Sequence, residues 1–125
     1  MTRWTPIERG QVWDINLDPT VGTEIQKTRP CIVASSDFIG TLPLRVVVPI
    51  TEWKSRYAKH PWMVKLTPNA SNGLVKACAA DALQIRSLDE RRFVRCRGVL
   101  SAEEMDDVVA AIIIVLNIPI GSPGS

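Results

Sequence analysis

Over residues 11–17, Val12, Asp14 and Asn16 alternate with Trp13, Ile15 and Leu17, the two-residue period of a half-buried strand, and Asp18-Pro19 stops it. The β-branched runs at 31–35 and 44–50, joined through the turn residues Asp37, Gly40 and Pro43, predict a connected pair of central strands. Residues 62–66 and 74–79 read as further strands on either side of a turn at 68–73. One short helical turn is expected at 87–91, then a last strand at 93–99. Ser101 and Glu104 have the spacing of a capping box, and Glu103 and Glu104 suit the positive end of a helix running from about 102 to 116. Its first half is amphipathic around Met105, Val108 and Val109, whereas 110–116 is apolar on every face. That is more than one sheet surface covers, so either a subunit interface or a wedge inside the monomer core must bury the excess. The chain is therefore expected to be mainly β with helical additions, a strongly bent antiparallel sheet or small barrel closed by a C-terminal helix.

Length and composition narrow the function classes. The 125 residues suffice for one domain, placed at 1–118, and the breaker-rich stretch 119–125 is expected to be a disordered tail. With 15 Lys and Arg against 13 Asp and Glu, the formal charge of +2 is too mild to identify a nucleic-acid binder, so any basic surface must be local. Cys31, Cys78 and Cys96 are widely spaced, without a CxxC pair, and read as reduced packing residues. His60 is the single histidine, which argues against a zinc cluster and against a Ser-His-Asp set with a spare imidazole; no metal or cofactor is expected. The longest apolar stretch, 108–116, is about half of a membrane span, and no leader pattern opens the sequence, so a cytoplasmic protein without membrane contact is expected.

Two loops carry the polar chemistry. One spans 20–28, with Glu24, Gln26 and Lys27 just ahead of Arg29. The other, 51–61, interleaves Lys54, Arg56, Lys59 and His60 with Trp53, Tyr57 and, just beyond, Trp62. Cations bind phosphates and aromatic faces stack on unpaired bases, the combination that single-stranded nucleic acid calls for. A solvated loop whose tryptophans cover the core edge would give the same pattern. RNA cleavage needs a proton taken from the ribose 2′-hydroxyl, charge stabilisation of a phosphorane, and a proton given to the leaving 5′-oxygen. Arg29 can supply a cationic fork and Thr51 a hydroxyl to one phosphate, although an arginine at a strand start also serves as a surface ion-pair partner.

Four motifs in order, Arg9-Gly10-Gln11-Val12-Trp13, Leu17-Asp18-Pro19-Thr20-Val21-Gly22-Thr23-Glu24, Lys27-Thr28-Arg29-Pro30 and Val48-Pro49-Ile50-Thr51, resemble the MazF/PemK toxin family. The resemblance continues through Gln84-Ile85-Arg86-Ser87-Leu88-Asp89 and the C-terminal helix, covering roughly 8–117. It implies an SH3-like CcdB/MazF-type β-barrel and a homodimer whose interface groove binds single-stranded RNA. It also implies sequence-specific, metal-independent endoribonuclease activity (an mRNA interferase) within a toxin-antitoxin system, and a cognate MazE-like antitoxin with an acidic disordered tail. Catalysis would then fall to Arg29 and Thr51. Family members often carry an aspartate just before the Gln-Ile-Arg run, where this chain has Leu83. Asp81, two residues earlier and about 7 Å along the same strand face, is a candidate general base if the strand shifts; alternatively it is a strand-end carboxylate paired with a cation such as Arg86. Glu24, Gln26, Lys27, Trp53, Lys54, Arg56, Tyr57 and Lys59 would contact RNA, with His60 in a minor role. The same fold class also admits a CcdB-like gyrase poison without a nuclease site, or a non-catalytic RNA-binding barrel. Arg29 with Thr51 favours the nuclease, as does the largely apolar 114–118, where a gyrase poison would concentrate its determinants.

Overall fold

The computed structural model describes residues 6–39 and 41–121. Its strands are β1 (Gln11–Asn16), β2 (Thr28–Val33), β3 (Leu44–Glu52), β4 (Met63–Leu66), β5 (Cys78–Asp81), β6 (Arg86–Asp89) and β7 (Phe93–Val99), followed by the helix α1 (Ala102–Leu116). Single 3₁₀ turns lie at Ser55–Lys59, Ala82–Gln84 and Glu90–Arg92. All pairings are antiparallel, in the order β4-β5-β3-β2-β1-β7, with β6 also on β3. The long strand β3 serves two partners on one side: Leu44 to Val47 pair with β6, and Ile50 to Glu52 pair with β5. Pro49, which has no N–H to give a ladder, sits at the changeover, and the 3₁₀ turn Ala82–Gln84 carries the chain from one partner strand to the other.

Strand alternation divides the apolar residues into two cores. Val12, Ile32, Val48 and Ile50 gather with Leu66, Leu74, Cys78, Ala80 and Val108 of α1. Trp13, Ile15, Cys31, Val33 and Val47 gather with Leu88 and Phe93. Trp13 and Phe93 meet edge to face at 5.6 Å. The three cysteines are free thiols, and burial pushes all three upward in pKa, which suits packing residues.

The expected closure into a barrel is not made by strand pairing, since β4 and β7 are the two ends of the strand order; the loop between β4 and β5 bonds to β7 instead. Val99 N donates to Ser71 O at 2.9 Å, and Arg97 Nε donates to Gly73 O at 3.2 Å. The backbones approach so closely that a Cβ at Gly98 would lie 2.2 Å from Ser71 O, and one at Gly73 would lie 2.2 Å from Arg97 O. Asn72 locks this loop from inside. Its Nδ2 donates to Thr67 O at 2.9 Å and Glu104 Oε2 at 3.0 Å, while its Oδ1 accepts from Asn69 N at 3.2 Å and Leu74 N at 3.1 Å.

Several boundaries differ from those expected. The strand placed at 74–79 starts only at Cys78, because Leu74 is drawn into the Asn72 loop. The turn placed at 87–91 comes later, at Glu90–Arg92, where the Asp89 carboxylate caps Arg91 N at 2.8 Å; Arg86–Asp89 is instead strand β6, paired along β3. Strand β2 begins at Thr28 and β3 extends to Glu52, so Arg29 and Thr51 are strand residues held by ladders rather than loop ends. The capping box is present: Glu104 N donates to Ser101 Oγ at 3.1 Å and Ser101 N donates to Glu104 Oε1 at 2.8 Å. Val108 and Ala111 are buried, but Ile114 is 51% exposed and Leu116 54%, so the second half of α1 is not wedged inside the monomer core. No helix among the described residues is long and apolar enough to cross a membrane. Gly40 and the tail positions 122–125 lie outside the described residues.

Candidate active site

Register sets the principal residues side by side. The β2–β3 ladder runs Val33 to Val47, Ile32 to Val48 and Cys31 to Pro49, and the same register continued two residues beyond its last pair aligns Arg29 with Thr51. Thr51 pairs with Ala79 of β5, and Ala79 pairs with Lys65 of β4. Arg29, Thr51 and Lys65 thus fall in one row across adjacent strands, on one face of the sheet. Arg29 is exposed and makes no ion pair or side-chain hydrogen bond among the described residues, so it is not held as an ion-pair partner. Thr51 is half-buried.

Both residues line a cleft of about 350 Å³ at the end of β2 and β3. Its apolar wall includes Pro30, Ile50 and Leu74, and its polar groups include Glu52, Lys76 and Arg97. Lys76 Nζ lies 3.4 Å from Glu52 Oε2. Arg97 Nη1 reaches Asp14 Oδ1 at 3.3 Å, and Arg95 Nη2 reaches Asp14 Oδ2 at 3.3 Å. The cations of this cleft are therefore gathered from two strands and a loop, and with Lys76 and Arg97 ion-paired the unoffset charge is that of Arg29. Sequence reasoning assigned no role to Glu52, Lys76 or Arg97. Arg97 and Asp14 are 83 positions apart, and no local pattern joins them.

The loop between β1 and β2 is held on the other side of Arg29. Glu24 Oε1 accepts Val21 N at 2.6 Å, which rounds off the turn, and Leu17 N donates to Lys27 O at 2.9 Å, with Lys27 at φ 69°. Gln84 ties this loop down: its Oε1 accepts Ile25 N, and its Nε2 donates to Thr23 O at 3.3 Å and to Asp81 Oδ2 at 3.2 Å. A second cleft, about 250 Å³, opens between Glu24, Ile25, Pro49, Gln84 and Arg86. Gln26 and Lys27 are exposed.

Asp81 shares the face of Thr51 but lies one row away, opposite Met63, and lines neither cleft. It is only 5% exposed and caps the Ala82–Gln84 turn, accepting Leu83 N at 3.1 Å. Burial pushes its carboxyl above the usual range, against the hydrogen bonds from Leu83 and Gln84 that favour the charged form. Arg86 does not pair with it; Arg86 Nη1 donates to Leu17 O at 3.3 Å.

In the second loop the cations face out while the rings pack on one another. Lys54, Arg56 and Lys59 are exposed. Trp53 and Tyr57 meet edge to face at 6.0 Å, and His60 stacks on Trp62 at 4.6 Å with an 18° tilt. The Lys65 ammonium lies 5.2 Å from the Trp53 ring centre, and the Arg56 guanidinium 5.3 Å from that of Tyr57. Both sequence alternatives hold in part here: half-buried tryptophans cover the edge of the barrel, and the solvent side is cationic.

Residues 8–116 match the family described as PemK-like, MazF-like toxin of type II toxin-antitoxin system. The chain is 34% identical over 119 residues to Endoribonuclease MazF9 of Mycobacterium tuberculosis, covering 90% of this chain and 98% of that protein. Among solved structures it resembles MazF from Deinococcus radiodurans with a TM-score of 0.75 at 24% identity, covering 93% of this chain and 100% of that one. A mycobacterial endoribonuclease solved in complex with its cognate antitoxin gives a TM-score of 0.72 at 18% identity, with 93% and 100% covered.

Proposed function

The chain belongs to the PemK-like, MazF-like toxin family, and from that premise we propose that it is a sequence-specific endoribonuclease toxin that cuts single-stranded RNA without a metal, using Arg29 and Thr51. The observation that carries the assignment of residues is that a strand arginine without a side-chain partner among the described residues and a strand threonine line one cleft. The guanidinium of Arg29 meets the charge that develops on the phosphorane oxygens, and the Thr51 hydroxyl holds the same phosphate. The ribose 2′-oxygen attacks phosphorus as its proton passes to water, the bond to the 5′-oxygen breaks as that oxygen takes a proton from water, and the products are a 2′,3′-cyclic phosphate and a 5′-hydroxyl. The exposed cations Lys54, Arg56 and Lys59, with Lys27 and Gln26 of the first loop and Glu24 beside it, border the path of the strand. Trp53, Tyr57 and His60 offer ring edges along the same path. A gyrase poison or a binding-only barrel is not favoured, because the relative that matches nearly the whole chain is named an endoribonuclease.

The partners follow from the surface. The exposed apolar half of α1, with Ile114 and Leu116, is the face on which a second copy of the chain packs. A cognate antitoxin with an acidic, disordered tail fits the cationic path and folds on binding, and the setting is the cytoplasm. The test is incubation of the purified protein with mixed-sequence single-stranded RNA in EDTA, with product ends mapped. Discrete cuts by the wild type, absent from Arg29→Ala of unchanged fold, are expected. Cleavage surviving in Arg29→Ala would remove Arg29 from the chemistry.

A further inference from the structure

Resting on the endoribonuclease reading, we propose that the cleft beside Arg29 and Thr51 takes a guanine base of the RNA strand and so selects the cleavage sequence. The cleft presents a fixed donor and a free acceptor across an apolar floor. The donor is Arg97. Its Nε is spent on Gly73 O at 3.2 Å and its Nη1 on Asp14 Oδ1 at 3.3 Å, which clamp the guanidinium, while Nη2 has no partner among the described residues. The Arg97 side chain is only 19% exposed, so its orientation is set before any ligand arrives. Asp14 lies against it and offsets its charge, which makes Arg97 a directed hydrogen-bond donor more than a free cation for phosphate.

The acceptor is Glu52, next to Thr51 on β3. Lys76 occupies Oε2 at 3.4 Å and leaves Oε1 open, with the carboxylate 62% exposed at the mouth of the cleft. Half-buried Pro30 and exposed Val75 supply the apolar surface against which a ring packs. Guanine is the base whose O6 and N7 accept along one edge while its N1–H and exocyclic amine donate along the next. Adenine would turn an amino donor toward Arg97, and the two-ring guanine covers more of the apolar lining than a pyrimidine does. The cleft volume of about 350 Å³ lies within the range of small-ligand sites, roughly 300–1,000 Å³.

The experiment maps cleavage ends in a randomised single-stranded RNA pool, with EDTA present, for the wild type, Arg97→Lys and Glu52→Gln. Glu52 is exposed, so its variant folds even if the one at Arg97 does not. The wild-type motif should hold guanine at one fixed position, with kcat/KM falling about tenfold or more when it is replaced. Both variants should collapse that ratio toward one while cleavage of other sequences persists. A motif without guanine, a guanine preference unchanged in both variants, or an equal loss on every sequence would overturn the proposal. If the wild type cuts nothing, the endoribonuclease reading fails, and the base site is tested by itself through fluorescence anisotropy. An oligouridine carrying one guanine should then bind about tenfold tighter than oligouridine alone, and equal binding overturns the base site too.

Discussion

Asn72→Ala should cost about 3 kcal/mol of stability, although the residue touches no substrate group. Asn72 is fully buried and makes four side-chain hydrogen bonds, to Thr67 O, Glu104 Oε2, Asn69 N and Leu74 N. One of these, from Asn69 N, lies near solvent, since Asn69 is exposed, and water can replace it at little cost. The Leu74 N–H is buried and cannot be rehydrated without opening the loop, and a buried donor left unpaired costs about 1–3 kcal/mol. Adding about 1 kcal/mol for the lost bond to the Glu104 carboxylate gives the total. With an unfolding entropy of about 2.1 cal/mol/K per residue, the melting temperature should fall by about 12 °C.

The loss carries a pH signature through Glu104. Burial works against its ionisation, but hydrogen bonds from Ser101 N–H, Asn72, Asn69 and the Ser101 hydroxyl outweigh that and hold the carboxyl below its ordinary value of 4.5. A carboxyl depressed in the folded state contributes stability that is whole above the unfolded value and disappears as pH falls through the folded one. The gap between wild type and Asn72→Ala should therefore be widest above pH 4.5 and narrow in more acidic solution. Thermal unfolding at neutral pH and urea unfolding at several pH values, both followed by tryptophan fluorescence, read the two effects. A shift under about 3 °C at neutral pH, or a gap that widens on acidification, would refute the reasoning.

Two further predictions concern Asp81 and the helix. Burial raises the Asp81 carboxyl above 3.8, so its charged form opposes folding; that penalty is absent below the unfolded value and grows as pH rises through the folded one. Asp81→Asn should remove this decline from the urea midpoint against pH and, because Asp81 lines neither cleft, should lower cleavage by less than about tenfold, whereas a loss near a thousandfold would restore it as the general base. Ile114→Arg should convert a dimer to a folded monomer in sedimentation velocity, and a monomeric wild type would dismiss the interface on α1.

The features legible in the amino-acid order are local in range. The alternation in 11–17 became β1, the Ser101 and Glu104 spacing became a capping box, and the all-round apolar run marked the end of α1 where Ile114 and Leu116 stay exposed. Each depends on contacts within a turn or two of chain, where period and cap chemistry are written directly in neighbouring residues. Arg29 and Thr51 were legible as chemistry-bearing residues, but their opposition on β2 and β3 is a matter of register. Only the tertiary structure decided that 74–77 leaves the sheet to follow Asn72, that 86–89 pairs with β3, and that Gln84 reaches back to Ile25 across 59 positions. It likewise decided that Asp14 clamps Arg97, and that Asp81 caps the Ala82–Gln84 turn. Those outcomes turn on which buried polar groups, distant in sequence, find partners when two apolar cores close on either side of one sheet. No short-range pattern carries that information, because each partner is chosen by the packing of the whole chain.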